Sequence, residues 1–369
     1  MIKRINVINF KSIKSIEIIP TSLNLFMGLN GMGKSTVIQS LLILRQSLKS
    51  DLTQLCLNGD LVEIGRGKDA LYNFADIEKI HFNIGFVNCN QDSEYSLDVD
   101  YAYSSKSDIL NQIESHIDPE VYKEALFTNN FVFLNADRLS PSTTYKMSYD
   151  EVANNYTIGI HGELAAHFLS MYGDKLIVPQ HLCLETASSN KLIDQVQEWM
   201  KAITPGVNIV TEELSQIDKV IISYDFHTDT ISTNRIRPTN VGFGISYILP
   251  VIVACLSGIH KLVMIENPEA HLHPKGQAKM GELIARCAAS GVQLFVETHS
   301  DHIVNGLRVA VKEKIITPKQ VGINYFTKNI ENGESYTVNT PIKIGINGEL
   351  SYYPQDFIDE WENQLMKLI

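Results

Sequence analysis

The chain has 369 residues, 44% of them hydrophobic and 20% charged, a globular composition with enough apolar matter for a sizeable core. Forty-two acids against 31 bases leave a formal charge of −11, which disfavours holding DNA mainly by counterion release. No apolar run approaches the roughly 18 residues that cross a membrane, and the opening MIKRINVINF lacks a signal-peptide core. Five cysteines (56, 89, 183, 255 and 287) form no CxxC pair and are odd in number, so a reducing, cytoplasmic setting fits better than a disulfide framework or a cysteine zinc site.

In chain order, residues 2–9, 15–19 and 22–27 read as three short strands. The turn GLNGMGKST and a helix with apolar residues at helical spacing from Val37 to Leu48 follow. Beyond residue 50 the pattern changes. Strands of an antiparallel meander are expected at 80–86 and 95–103, and a buried strand at 131–135. Residues 190–203 form an amphipathic helix with Leu192, Ile193, Val196, Trp199, Met200 and Ile203 on one face. From 261 the chain alternates: strand KLVMI, a helix after Pro274, strand 292–296, a helix from about 300 and a strand near 321–326. That is the pattern of a parallel sheet flanked by helices. A last helix from about 355 carries Phe357, Trp361, Leu365 and Leu368 on one stripe. The expected division is a core of 1–50 and 235–369 around a mixed insert at 51–234. Residues 91–120 hold eight acids and one base, Lys106, which reads as a solvated face and a poor cradle for DNA.

Residues 28–35 match GxxxxGK[ST] in full, after an apolar strand and before an apolar-periodic helix, where a phosphate loop must sit. The glycines let the backbone of Asn30, Gly31, Met32 and Gly33 curl so that its N–H groups face phosphate oxygens. The helix starting at Lys34 adds the positive end of its dipole. Lys34 suits the β- and γ-phosphates, Ser35 the Mg²⁺ ion and Thr36 the α-phosphate. Such a loop needs a carboxylate at the end of a neighbouring strand. In KLVMIENPEAHLHP, four apolar residues are followed by Glu266, the candidate metal ligand. Glu269 lies one turn on, near enough to act on an attacking water. A second strand ends in Glu297-Thr298-His299-Ser300, and His299 at that edge can contact a γ-phosphate.

Taken together, INFKSIKSIEI…LNLFMGLNGMGKST, ENPEAHLHP and ETHS resemble the ABC-type ATPases of the SMC, RecF and OLD group. The likeness is closest to compact single-chain members, many of which occur near bacterial defence genes. It implies an α/β P-loop head with a mixed sheet, helices on its faces and a mixed α+β insert. It also implies two ATPs sandwiched in a head-to-head homodimer or higher oligomer, with a signature motif from one head capping the other's nucleotide. Here the candidate is Asn240 to Ser246, with Gly242, Gly244 and Ser246 as donors, and residues 270–273 as the loop that crosses the dimer.

One departure matters. Where the family pattern has a catalytic glutamate after the metal carboxylate, this chain has Asn267, and an amide takes no proton from water. Either Glu269 is the base, or hydrolysis is slow and the protein is an ATP-gated clamp. The family's polarising glutamine is not identifiable, Gln46 reading as structural. FVFLNADR offers Asn135, Asp137 or Arg138 as a residue near the nucleotide, and Arg138 reads as a phosphate sensor or as half of a salt bridge.

Three other readings fit the residues less well. His271, His273, His299, Asp301 and His302 suggest a metal hydrolase but leave GLNGMGKST unexplained. About 70 residues after His299, without a DxD cluster, leave no room for the nuclease domain of OLD proteins, so any effector would be a separate chain. A chromosome tether needs long coiled coils that are not there. The expectation is therefore a MgATP-dependent dimeric switch for a partner effector, plausibly in anti-phage defence. A RecF-like DNA-repair ATPase is the alternative.

Overall fold

The computed structural model describes residues 1–88, 93–226, 234–354 and 366–368. The chain forms two compact units: one from residues 1–128, 321–343 and 350–369, the other from 129–320 and 344–349. They part at other places than the expected boundaries near 50 and 235, because strands of the 51–234 stretch pair with strands on both sides of it.

The first unit opens with β1 (Ile2–Phe10), β2 (Ile13–Ile18), β3 (Leu23–Met27) and α1 (Lys34–Gln46). It continues through β4 (Gln54–Cys56), α2 (Gly67–Ala70), β5 (Lys79–Asn88), β6 (Ser93–Ala102) and β7 (Ile109–Ile117). An antiparallel sheet runs β2-β1-β5-β6-β7-β4. One face is apolar and buried, with Ile5, Val7, Phe82, Ile84, Leu97 and Val99 at successive inward positions of period two. The acidic stretch is less solvated than expected. Asp100 is only 7% exposed, bonded to Lys79 Nζ at 2.6 Å and to His81 Nδ1 at 2.8 Å. Gln46 is structural as expected: its side chain bonds the backbone of Cys56 and Val62.

The second unit contains β8 (Phe131–Leu134), β9 (Tyr145–Lys146), α3 (Tyr149–Asn155), α4 (Ala165–Tyr172) and α5 (Leu192–Ile203). Next come β10 (Val207–Leu214), β11 (Lys219–Phe226), α6 (Phe243–Leu256), β12 (Leu262–Glu266), α7 (Pro274–Ala289), β13 (Gln293–Glu297) and α8 (Asp301–Lys312). β12 pairs in parallel with β8 on one side and β13 on the other, in register from Leu262 to Glu266. Buried on both faces, these strands are continuous apolar runs rather than alternating ones. β10, β11 and β9 form a separate antiparallel sheet. On α5 the expected stripe is buried, except that Ile193 is half-exposed and Gln195 takes an inward place, bonding the backbone of Leu184 and Ser189.

The chain then returns to the first unit with β14 (Val321–Glu331) and β15 (Glu334–Ile342). β14 pairs in parallel with β3 and in antiparallel with β15. A two-residue turn, Asn332-Gly333, joins β14 to β15, both residues at positive φ (51° and 82°), as a type I′ hairpin turn requires. The strand expected at 321–326 is thus only the first half of a hairpin. Of the expected last helix, Phe357, Trp361 and Leu365 lie outside the described residues, and Leu368 is exposed. Among the described residues no helix is long and apolar enough to cross a membrane.

His260 ties α6 to the end of α3: Nε2 bonds Tyr156 O at 3.0 Å and Nδ1 pairs with Ser257 Oγ at 3.3 Å. Burial drives its pKa down to about 4, so the fold holds it neutral. The unfolded chain then binds the extra proton first as pH falls below its ordinary value. Stability is full above about pH 6.5 and is lost as pH drops towards 4, by about 2 kcal/mol between pH 7.5 and 5. Urea midpoints at those two pH values should therefore differ more for the wild type than for His260→Gln; equal slopes would remove His260 as the cause.

Candidate functional site

The phosphate loop leaves β3, a fully buried strand, and enters α1. Two of its glycines are fixed by their neighbours. A Cβ on Gly28 (φ +140°) would lie 2.4 Å from Phe326 O, and one on Gly33 (φ +96°) 2.2 Å from Thr337 Oγ1. Both positions accept only glycine. Thr337 on β15 also donates to Met32 O at 3.1 Å and pairs with the Ser12 hydroxyl at 2.8 Å, so the hairpin supports the loop from below. Lys34 is 3% exposed, and its ammonium lies 2.9 Å from both Gly28 O and Leu29 O, inside the turn. Thr36 is buried, Ser35 and Met32 are half-buried, and Asn30 and Gly31 are exposed at the tip. Lys11, from the Asn-Phe-Lys at 9–11, bonds Gln39 on α1 at 2.7 Å.

In the second unit, β12 ends at Glu266. Its carboxylate accepts one N–H, from Ala136 at 3.2 Å, and burial pushes its pKa up. A half-buried carboxylate with so few donors fits a bound cation, whose charge would reverse that shift. The next residue, Asn267, holds a left-handed φ of 44°, donates its N–H to Glu297 O at 2.8 Å and buries its Oδ1 without a hydrogen bond. Glu269 is also pushed up by burial, and both its oxygens are engaged. Thr298 Oγ1 donates at 2.8 Å and the His299 backbone N–H at 2.8 Å. Glu269 thereby ties the ENPE turn to the ETHS turn, and the His299 side chain stays exposed.

Arg138 answers to neither role expected of it. It is 2% exposed, and its guanidinium bonds backbone carbonyls: Nη2 to Glu266 O at 2.6 Å, and Nη1 and Nη2 to Asn267 O at 3.2 and 3.3 Å. Burial lowers its pKa to about 10, with Glu269, Tyr247 and Glu266 pushing back.

The residues of the expected signature are unequally exposed. Gly242 caps α6 and is exposed beside Phe243, but Gly244 lies under the 270–273 loop, where a Cβ would meet His271 O at 2.6 Å. Ser246 is 7% exposed and turned inward with Ile245, Leu249 and Pro250. Its hydroxyl and that of Tyr224 are buried without hydrogen-bond partners. Sequence spacing places Ser246 one turn into the helix, but an almost wholly apolar α6 gives no sign of which side faces out. His271 (φ +61°) packs its ring tilted against Phe243 and edge-on against Tyr247, with ring centroids 5.8 and 4.8 Å away, so the loop and the helix start share one surface. Of the histidines in the metal-hydrolase reading, His273 caps α7, its Nδ1 accepting from Lys275 N at 3.3 Å.

The first unit thus carries a glycine-locked GxxxxGK[ST] loop before α1, and the second an acid at the end of one buried parallel strand and a histidine turn after the next. The chain belongs to the family described as "AAA domain, putative AbiEii toxin, Type IV TA system", which it matches over residues 23–305. Residues 316–368 match a second family, "Protein of unknown function (DUF3696)". The fold of the chain is similar to that of SMC head domains. A crystal structure of the Smc head bound to the C-winged helix domain of ScpA is similar at TM-score 0.56 and 15% identity, over 92% of this chain and 98% of that one. A Pyrococcus furiosus Smc head with an extended coiled coil, bound to the C-terminal domain of ScpA, is similar at TM-score 0.50 and 13% identity, over 100% and 99%. No curated protein matches the sequence.

Proposed function

We propose that the chain binds MgATP, dimerises head to head on binding it and reopens on slow hydrolysis, acting as a switch for a separate effector protein. The observation that carries this reading is the Lys34 ammonium held inside a loop whose Gly28 and Gly33 admit no side chain. In this reading the loop from Asn30 to Gly33 and the α1 N-terminus take the phosphates, and Thr36 reaches the α-phosphate. Ser35 and Glu266 would hold Mg²⁺, which supplies neutralising charge to the β- and γ-phosphates. Glu269 is the general base. His299, its N–H fixed by Glu269, reads the γ-phosphate. Asn267 cannot accept a proton, so turnover is slow and the ATP-bound state persists. A cytoplasmic, anti-phage role is supported by the resemblance to ATPases near defence genes and by the toxin named in the family description.

Light scattering of the purified chain tests the switch. MgATP should double the mass of the wild type, and Ser246→Ala should dimerise equally well because its hydroxyl faces inward. A chain that stays monomeric with saturating MgATP contradicts the proposal. Hydrolysis stimulated by DNA, with binding that falls steeply with salt, would instead favour the repair ATPase.

A further inference from the structure

We propose that Arg138 is a positioning residue for the metal carboxylate: it fixes the Glu266–Asn267 turn and so sets how strongly Mg²⁺ tightens nucleotide binding. The inference rests on the reading of Glu266 as a metal ligand.

The geometry begins with β8 and β12, which run parallel with Leu134 opposite Ile265, so both chains leave the sheet at one edge. The segment after β8 is held from behind. Asn135 N–H bonds Ile160 O at 2.9 Å and Leu139 N–H bonds His161 O at 2.9 Å, while the Asn135 side chain takes Asp137 N–H at 3.2 Å. From this fixed base two donors reach the end of β12. Ala136 N–H holds the Glu266 carboxylate, and the Arg138 guanidinium bridges the carbonyls of Glu266 and Asn267. That bridge secures a left-handed, non-glycine residue, a conformation that persists only where its surroundings impose it.

Stability alone does not account for a charged residue here. A neutral amide could cap a carbonyl. Arg138 instead buries a full charge, makes no ion pair with a carboxylate among the described residues, and leaves its Nε–H buried without an acceptor. Burying a charge so incompletely paired costs stability. The charge lies within electrostatic reach of the two half-buried carboxyls, Glu266 and Glu269. Local rules broken at a site usually mark function, and hydrogen bonds behind a metal ligand typically govern about 10–100-fold of metal affinity.

The test compares the affinity of a ribose-labelled fluorescent ATP analogue in EDTA and in excess MgCl₂. The ratio gives the gain from Mg²⁺. Arg138→Gln should lower that gain by about 10–100-fold and leave the EDTA affinity within about twofold. Arg138→Lys, which keeps the charge and one donor group, should recover part of the gain. Urea denaturation identifies folded variants, and if the glutamine variant does not fold, a lysine variant with at least a threefold smaller gain carries the same conclusion. A full Mg²⁺ gain in a folded variant overturns the inference, as does an equal loss with and without metal. Glu266→Ala separates the two levels. If it too keeps the gain, the metal reading of Glu266 fails; if it loses the gain while the Arg138 variants keep theirs, only the role of Arg138 fails.

Discussion

Lys34→Ala is expected to weaken ATP binding by more than about 100-fold, since each hydrogen bond to a charged group contributes about 1.5–3 kcal/mol and the ammonium can give several. The residue is buried, so the substitution acts in two ways. It removes the phosphate donor, and it leaves Gly28 O and Leu29 O without their present partner. Thermal denaturation separates the two. A variant that melts within a few degrees of the wild type yet fails to bind a fluorescent ATP analogue has lost the donor. Lys34→Arg should not rescue binding, because a planar, wider head does not fit a turn closed around an ammonium. Wild-type affinity in Lys34→Ala would remove the loop from nucleotide binding altogether.

Glu269→Gln should slow hydrolysis by about 10²–10⁴-fold, the usual contribution of a general base, while ATP affinity holds and the dimer accumulates. The substitution is clean because of the two bonds the carboxylate makes. A glutamine can still accept the His299 N–H through Oε1, and its amide can donate to Thr298 Oγ1 once that hydroxyl turns away. The tie between the two turns survives and only the proton acceptor is lost. Glu269→Ala should lose both, and should add a loss of nucleotide discrimination as His299 drifts. If steady-state turnover of the glutamine variant equals that of the wild type, Glu269 only braces the site, and the proton goes elsewhere.

Much of this was legible from local pattern. The phosphate loop announces itself because glycine, lysine and serine must follow one another within eight residues between a strand and a helix. Glu266 was found the same way, as the first acid after four buried apolar residues. Contacts between distant segments were not legible. Arg138 reaches carbonyls 128 and 129 residues away, and no side-chain pattern encodes a bond to backbone. Thr337 stands beneath Met32 from 305 residues on. The turn at Asn332-Gly333 was the available signal for the hairpin that carries Thr337. The direction in which Ser246 points was not legible, because a helix apolar all round has no face to read. The boundaries near 50 and 235 followed changes of pattern, whereas the units follow strand pairing, which crosses those changes at β1 with β5 and at β8 with β12.

The hairpin under the phosphate loop has a consequence for the order of events during synthesis. The loop leaves the ribosome some three hundred residues before the backbone of Phe326 that closes over Gly28 and the hydroxyl of Thr337 beneath Met32. Closing so long a loop is slow, and it cannot begin before the partner strands exist. A nascent chain would therefore carry its most recognisable motif through all of that interval without the scaffold that shapes it. Competence to hold nucleotide would wait for the hairpin.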